Sequence, residues 1–509
     1  MTITRPSFKN FYHVEPLAGV GLFLLTEVGF TMLSGPLYSQ LGPLVNGQHT
    51  AEEIVDLLDG QVSATEVYYG LGQLEQRGLV VEAEVEIAPA VAAYWQMLDL
   101  DAARATQRLA QSSVSITALD EHAVPALSAA LQSLGIPVVD RGGFQVVLTD
   151  DYLQPTLASI NQEKLATGEP WMLVKPVGTI VWLGPIFRPG QNACWECLAQ
   201  RLRMNRMTES FLLEKKGISD PFKTSLAVLP TTLDLAANLA AIQVGKWLAD
   251  DRGRRTEDNV LTFNTLTLAN ERHTLVRRPQ CPVCGNPEQY SKPIQVQLQS
   301  RLKRFTADGG HRIMPPEQTV NRFEHHVSPI TGAIKSLQRS DTGENPVMHA
   351  YLAGHNFAQN YSDMASLRRT LRMMAGGKGA TDIQAKASAI GEAIERYSGV
   401  YRGDEPRIKA SYRSLAEKAI HPRDLLLISD EQYQTRKLMH GEGSLYQYVP
   451  PPYEDATEID WTPVWSLSQN RFKYVPTSHA YYNYAPVAGI RGDQVFCLAD
   501  SNGTAAGNT

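Results

Sequence analysis

Cysteine, long hydrophobic runs and excess positive charge are all scarce in this sequence. Only 5 of the 509 residues are cysteine, too few for a disulfide framework in a chain of this length. No run of about 18 uncharged apolar residues occurs, and the most apolar stretch, 20–33, contains Gly21, Glu27 and Gly29. The residues before it lack the basic character of a signal peptide. We therefore expect a cytoplasmic protein that has no membrane partner.

The charge balance is slightly acidic. The chain has 47 Lys and Arg against 53 Asp and Glu, a formal net charge of -6 at pH 7. Because proteins that bind nucleic acid usually carry a basic domain, no nucleic-acid partner is expected. The hydrophobic share of 43% is typical of folded proteins, and a chain this long should form more than one core.

The first predicted domain comprises residues 1–84 and has the element order of a winged helix-turn-helix. Two short strands around a turn are followed by three helices and a closing strand. Capping-box patterns, in which Ser or Thr stands three positions before Glu, begin the second and third helices. We predict strands at 21–25, 30–33 and 79–81 and helices within 36–45, 50–60 and 63–78.

Winged helices often bind DNA, and the last helix of this domain is the one that would enter the groove. It carries only Arg77 as a base, beside the acidic Glu66 and Glu75. Attraction to phosphates, which drives such binding, therefore has little to act on. We interpret the domain as a peptide-binding module that captures an extended segment along an exposed strand edge.

The second predicted domain, 85–300, alternates strand-like and helix-like segments. Strands at 114–117, 136–139, 145–148 and 171–174 surround a helix at 123–134. This alternation is typical of a doubly wound α/β sheet. The stretch 233–248 is mostly small or apolar, which favours a largely buried helix.

Four of the five cysteines form two Cys-x-x-Cys pairs within this second domain: Cys194 and Cys197, and Cys281 and Cys284. Each pair places two thiolates on one side of a tight turn, and two pairs complete the tetrahedral set that zinc prefers. A redox motif would be a single pair at the start of a helix. The sequence therefore favours a structural zinc ion that joins two distant parts of the domain.

The third predicted domain, 301–509, contains one strongly helical segment near residue 390. Ser388, Glu392 and Glu395 are spaced at i, i+4 and i+7, so they share one face. Two carboxylates one turn apart suit a magnesium ion that also holds phosphates. We predict that 376–379, Gly-Gly-Lys-Gly, forms a cationic loop beside them. Taken alone, the helix could equally be an ordinary solvated one.

Two resemblances follow from these motifs. The stretch from Trp182 to Cys197 resembles the ThiF-like, ubiquitin-activating adenylation fold. The Gly-rich loop which that family needs after its first strand is missing here, because 118–122 reads Ala-Leu-Asp-Glu-His. The helix near residue 390 and the segments 308–319 and 500–509 together resemble the YcaO superfamily. With the winged helix in front, the whole chain resembles the fused cyanobactin heterocyclases.

The resemblance implies an ATP-dependent cyclodehydratase that closes Cys, and also Ser or Thr, of a ribosomal precursor peptide into thiazoline or oxazoline rings. It implies a fold of three parts: a winged helix for the leader peptide, a zinc-stapled ThiF-like α/β domain, and an α+β YcaO domain of which 301–509 is the N-terminal portion. The implied cofactors are ATP, magnesium and structural zinc, and the implied assembly is a homodimer. The residues expected to bind ATP or magnesium are Glu392, Glu395, Ser388, Arg312, Lys378, Arg396, Asn502 and Asn508.

Other readings of the sequence stay open. The chain could be a non-catalytic scaffold or truncated fragment that presents the precursor to another enzyme. A YcaO enzyme could also use another nucleophile, such as sulfide. An adenylating enzyme is disfavoured by the missing glycine loop, and a product of AMP rather than ADP would favour it. No catalytic base can be assigned.

Overall fold

The computed structural model describes residues 2–83, 87–250, 258–290, 292–304, 313–340, 348–355, 364–371, 374–439, 449–481 and 484. The chain divides into two compact units. The first comprises Met1–Ile116, Ala123–Gln145 and Asp234–Thr256, and the second comprises Thr117–His122, Val146–Leu233 and Glu257–Thr509. Among the described residues, no helix is both long and apolar enough to cross a bilayer.

The N-terminal region of the first unit is a winged helix-turn-helix. Strands β2, β3 and β4 form an antiparallel sheet, and β1 pairs with β5. Both capping boxes form as the sequence predicts, at Thr50 and Ser63. The elements are β1 (Pro6–Phe8), β2 (His13–Leu17), β3 (Gly21–Thr26), β4 (Gly29–Ser34), α1 (Pro36–Leu41), α2 (Ala51–Leu57), α3 (Ala64–Gln76) and β5 (Val80–Glu82).

One helix of this region is shorter than the sequence suggests. We expected it to extend through residue 45, but α1 ends at Leu41. Pro43 follows closely, and because proline has no backbone N–H it cannot continue the helical hydrogen-bond ladder. The apolar residues of the predicted segment still enter the core, where Leu41 and Val45 are buried with Leu22, Leu33 and Ile54.

The middle of the chain has the α/β composition that the alternating pattern predicts. Its seven-stranded sheet has the order β12-β11-β10-β9-β8-β6-β7. Strands β6 and β7 are parallel, whereas β9 through β12 pair antiparallel. The elements are α4 (Pro89–Met97), α5 (Ala102–Gln111), β6 (Val114–Ala118), α6 (Val124–Ser133), β7 (Val138–Val139), β8 (Phe144–Leu148), α7 (Thr156–Thr167), β9 (Trp171–Lys175), β10 (Ile180–Phe187), α8 (Trp195–Asn205), α9 (Met207–Lys216), α10 (Pro230–Ala249), β11 (Asn259–Asn264), β12 (Asn270–Thr274) and α11 (Pro287–Tyr290).

The C-terminal region, which lies in the second unit, contains two antiparallel three-stranded sheets. Their orders are β13-β14-β15 and β16-β17-β18. The long helix α14 packs on the first sheet through small side chains. The elements are α12 (Pro316–Phe323), β13 (Ile334–Arg339), β14 (His349–His355), α13 (Met364–Leu371), β15 (Met374–Gly379), α14 (Asp382–Ser398), β16 (Ile408–Ser411), α15 (Tyr412–Leu415), α16 (Pro422–Leu426), α17 (Asp430–Met439), β17 (Glu458–Ser466), β18 (Arg471–Pro476) and α18 (Thr477–Ala480).

Candidate nucleotide site and metal centre

The four paired cysteines come together at one point of the second unit. Cys194 directly precedes α8, and Cys197 lies in the first turn of that helix. The Sγ atoms of Cys194 and Cys281 are 3.7 Å apart, and those of Cys197 and Cys284 are 3.5 Å apart. All four sulfur atoms lie within 4.8 Å of one another. A tetrahedral zinc ion with bonds of about 2.3 Å to sulfur places its ligands about 3.8 Å apart, so these residues fit zinc.

Hydrogen bonds among the four thiols shift their pKa values in both directions. Hydrogen bonds within the group, led by that with Cys197, raise the pKa of Cys194. The corresponding bonds, led by those with Cys194, lower the pKa of Cys281 and bring that of Cys284 to about 6. The backbone N–H of Arg278 donates to the Cys197 sulfur at 3.4 Å. A divalent ion would draw all four groups into the thiolate form.

The predicted magnesium face lies on α14. A capping box between Thr381 and Gln384 begins this helix, and small or branched side chains bury its other face. Ser388, Glu392 and Glu395 are partly exposed on it. Two carboxylates there could supply part of an octahedral shell, with phosphate oxygens and water completing it.

Arg396 lies one turn beyond Glu392 on the same helix. Its Nε atom donates to Oε1 of Glu392 at 3.2 Å. Such a pair orients the carboxylate and adds a positive charge near the phosphates that a magnesium ion would hold. A role for Arg396 beside the nucleotide stays a prediction.

The glycine-rich segment before α14 does not form the predicted loop. Residues 374–379 are strand β15, which pairs with β14 in the register Tyr351 to Gly377. A Cβ atom on Gly377 would lie 2.2 Å from the backbone nitrogen of Ala389. Glycine is therefore needed here for close packing of strand on helix rather than for flexibility. Because side chains alternate along a strand, Lys378 lies on the face opposite α14, and its exposed side chain is not brought to the glutamates.

Three further residues are predicted to contact the nucleotide. Arg312, Asn502 and Asn508 lie outside the described residues. Their roles stay predictions that rest on the sequence alone.

Two clusters of side chains beside α14 are not predicted by the sequence. At the start of the helix, Asp382 accepts a hydrogen bond from the Tyr351 hydroxyl at 2.7 Å and pairs with Lys386 at 3.0 Å. These two bonds hold the pKa of Asp382 below its usual value. At the other end, Tyr397 contacts Arg201 and Arg402. Tyr397 directly follows Glu395 and Arg396 in the sequence. This adjacency is the signal that could have pointed to it.

An exposed strand edge is present in the winged helix. Strand β4 is an outer strand of its sheet. Phe30 and Met32 on this strand are 70% and 41% exposed. An outer strand offers backbone N–H and C=O groups with which an extended peptide can pair.

Comparison with known proteins gives matches at both ends of the chain and along nearly all of it. The family described as YcaO cyclodehydratase, ATP- and Mg2+-binding, matches residues 376–509, and a winged helix-turn-helix family matches residues 7–82. A solved heterocyclase in complex with substrate and cofactor is 38% identical over 95% of the chain, with a TM-score of 0.83. The heterocyclase TruD is 36% identical over 98% of the chain, with a TM-score of 0.75.

The chain spans 66% of the length of each of these two structures. A search of curated proteins gave no match.

Proposed function

The chain belongs to the YcaO heterocyclases, and from that premise we propose that it catalyses ATP-dependent cyclodehydration within a ribosomal precursor peptide. We propose an enzyme of the cyanobactin type that converts Cys, and also Ser or Thr, into thiazoline or oxazoline. The observation that carries this proposal is helix α14, which presents Ser388, Glu392 and Glu395 on one face within the region that matches the YcaO family.

The proposed reaction removes one water from the peptide for each ring. The sulfur of a core Cys bonds to the carbonyl carbon of the preceding residue, and the thiol proton goes to a base. The former carbonyl oxygen takes the γ-phosphoryl group of ATP, and ADP leaves. The amide nitrogen then loses its proton as the carbon–oxygen bond breaks. Phosphate is released and the carbon–nitrogen double bond of the ring remains.

The protein contributes positioning and charge neutralisation to this chemistry. We assign Glu392 and Glu395 to magnesium, which would neutralise charge on the ATP phosphates when bound. Ser388 and Asn508 are assigned to nucleotide contacts and Arg312 to a phosphate. Arg396 and Asn502 stay candidates near the nucleotide, whereas Lys378, on the face of β15 opposite α14, is given no such role.

Zinc has a structural role in this proposal. The ligands would be Cys194, Cys197, Cys281 and Cys284, whose sulfur atoms fit a closed tetrahedral site. Four protein ligands leave no open position for substrate. The ion would therefore stabilise the fold and take no part in ring closure.

The substrate would be bound through its leader segment, which is separate from the residue that reacts. We propose that the leader adds as an extended strand to the outer edge of β4, where Phe30 and Met32 offer apolar contacts. A cytoplasmic location, where ATP and newly made precursor meet, is part of the proposal, and so is a homodimeric assembly.

The identity of the nucleotide product tests the proposed chemistry. Precursor, ATP and magnesium are incubated with the protein, and ADP, AMP and phosphate are quantified. The proposal expects equal amounts of ADP and phosphate, formed faster when the precursor is present. AMP as the main product would favour adenylation instead. Leader binding without nucleotide turnover would favour a non-catalytic scaffold that serves another enzyme.

A further inference from the structure

Helices α8 and α14 contact each other directly within the second unit. Helix α8 follows Cys194 and carries Cys197, and α14 carries Glu392 and Glu395. The contact is made by Arg201 of α8 and Tyr397 of α14. The guanidinium of Arg201 donates a hydrogen bond to the Tyr397 hydroxyl. Its central carbon also lies 4.7 Å from the centroid of the tyrosine ring. No function is assigned to either residue by the chemistry described above.

A third residue completes this contact. The guanidinium carbon of Arg402 lies 4.4 Å from the centroid of the same ring. Its Nη2 atom donates to the backbone oxygen of Tyr397 at 3.3 Å. Tyr397 is thus held both by its side chain and by its main chain, at the last turn of α14. The preceding residues in that turn are Glu395 and Arg396.

The burial of Arg201 makes this contact energetically demanding. The residue is only 8% exposed, and within the described part of the chain no carboxylate forms an ion pair with it. The tyrosine hydroxyl and ring therefore compensate its charge. A buried guanidinium that loses such a partner leaves an unsatisfied charge and donor. The two side chains consequently fix the spacing of their helices within narrow limits.

Helix α8 is also held to the C-terminal region at a second point. The side-chain amide of Asn205 donates to the backbone oxygens of Ile330 and Gly332 at 3.3 Å and 3.2 Å. At its other end the helix begins in the cysteine group, since Cys197 lies one turn before Arg201. The helix is therefore fixed at both ends, and a residue on it can define the position of α14.

We propose that Arg201 and Tyr397 are positioning residues, which set the orientation of the last turns of α14 and so of Glu392 and Glu395. The claim about catalysis rests on the proposed function, whereas the claim about the helix does not. Because these two glutamates are assigned to the magnesium ion that accompanies ATP, an error in their placement would weaken nucleotide binding. A contact at the end of the glutamate helix is well placed to prevent such an error.

Hydrogen–deuterium exchange of the α14 amides tests the contact without any requirement for activity. Tyr397→Phe removes only the hydroxyl, and Arg201→Gln removes the charge. We expect each variant to raise exchange in the last turns of α14 about tenfold. In the double variant, exchange of the α14 amides should be only slightly faster than in the more affected single variant, because both changes break the same contact. Unchanged exchange in both single variants would overturn the proposal.

Tyr453→Phe is the matched control for exchange. The Tyr453 hydroxyl donates to the backbone oxygen of Thr457 at 2.6 Å, beside the sheet that contains β17. The same chemical change at this position should leave α14 exchange as it is in the wild type. An equal rise in α14 exchange in this control would show general loosening of the fold and would also overturn the proposal.

Kinetics separate positioning from a merely structural role. With magnesium, precursor and varied ATP, Tyr397→Phe should raise the KM for ATP about tenfold and change kcat less. A fall in kcat alone, in proportion to the fraction of folded protein, would contradict positioning. Absence of ATP turnover in the wild type would count against the proposed function only, and the exchange result would still decide the role of the contact.

Discussion

At the scale of single residues, Lys175 in β9 is a buried charge with a strong effect on pH dependence. The side chain is 5% exposed, and its amine donates to the backbone oxygens of Val177 and Ile180, each at 2.8 Å. Burial lowers the pKa of this amine to about 8. The unfolded chain, with an ordinary lysine pKa, therefore binds more protons than the folded chain between about pH 8 and pH 10.5.

This difference gives a signed prediction for pH dependence. The contribution of Lys175 to the free energy of unfolding should rise by roughly 3 kcal/mol as the pH increases through that window. As the pH increases from about 7 to about 10, the melting temperature of the wild type should rise relative to that of Lys175→Met. Lys223→Met, at an exposed position, is the control. A constant difference between wild type and Lys175→Met across this range would contradict the prediction.

The residues that could be predicted from sequence are those whose chemistry lies in local spacing. Two Cys-x-x-Cys pairs predicted the cysteine group, and the i, i+4, i+7 pattern predicted the shared face of α14. The partners of Tyr397 could not be predicted in this way. Arg201 is 196 positions away in the chain, and no periodicity relates the two.

At the scale of elements, the packing of β15 on α14 depends on a glycine. A Cβ atom at Gly377 would lie 2.2 Å from a backbone nitrogen of the helix, whereas one at Gly376 would meet nothing within 4 Å. Gly377→Ala should therefore cost about 2 kcal/mol of stability or more and disturb the glutamate face. Gly376→Ala, the matched control, should stay within about 0.5 kcal/mol of the wild type. Denaturant unfolding measures both, and equal stabilities would refute this packing account.

Element boundaries could be predicted where the signal is a local one. The capping boxes at Thr50 and Ser63 begin helices as expected, because the hydrogen bonds lie within four residues. The prediction of a loop at the Gly-rich segment is wrong for the opposite reason. Gly377 and Gly379 lie against the backbone of Ala385 or Ala389 in the next helix, and a sequence window shows only that glycine is flexible. Strand β1 has the sequence Pro-Ser-Phe and lacks the run of branched apolar residues that marks β5, so the sequence does not predict it.

At the scale of the whole molecule, the α/β class and the winged helix follow from the order of elements. The antiparallel pairing of β9 through β12 does not, since alternation alone leaves strand direction open. The limits 1–84, 85–300 and 301–509 stay predictions. The second unit contains residues from both 85–300 and 301–509. Tertiary contacts therefore join segments that the sequence pattern assigns to separate domains.

The cysteine group gives a prediction about metal content. The purified protein should contain one zinc ion per chain by elemental mass spectrometry. Cys281→Ser should abolish this content and lower the melting temperature by roughly 10 °C or more, because structural zinc contributes strongly to folding. Cys497→Ser, which changes a cysteine outside both pairs, is the control and should retain the ion. Zinc-free wild-type protein, or equal loss in both variants, would count against the site.

The proposed ring closure is tested most directly by mass spectrometry of a leader-bearing, Cys-containing precursor after incubation with the protein, magnesium and ATP. The account predicts a loss of one water per modified residue, dependent on ATP and on the leader. Glu392→Gln should reduce the rate at least a hundredfold, whereas Glu431→Gln, an exposed change on α17, should not. An unchanged precursor mass, or full activity in Glu392→Gln, would contradict the account.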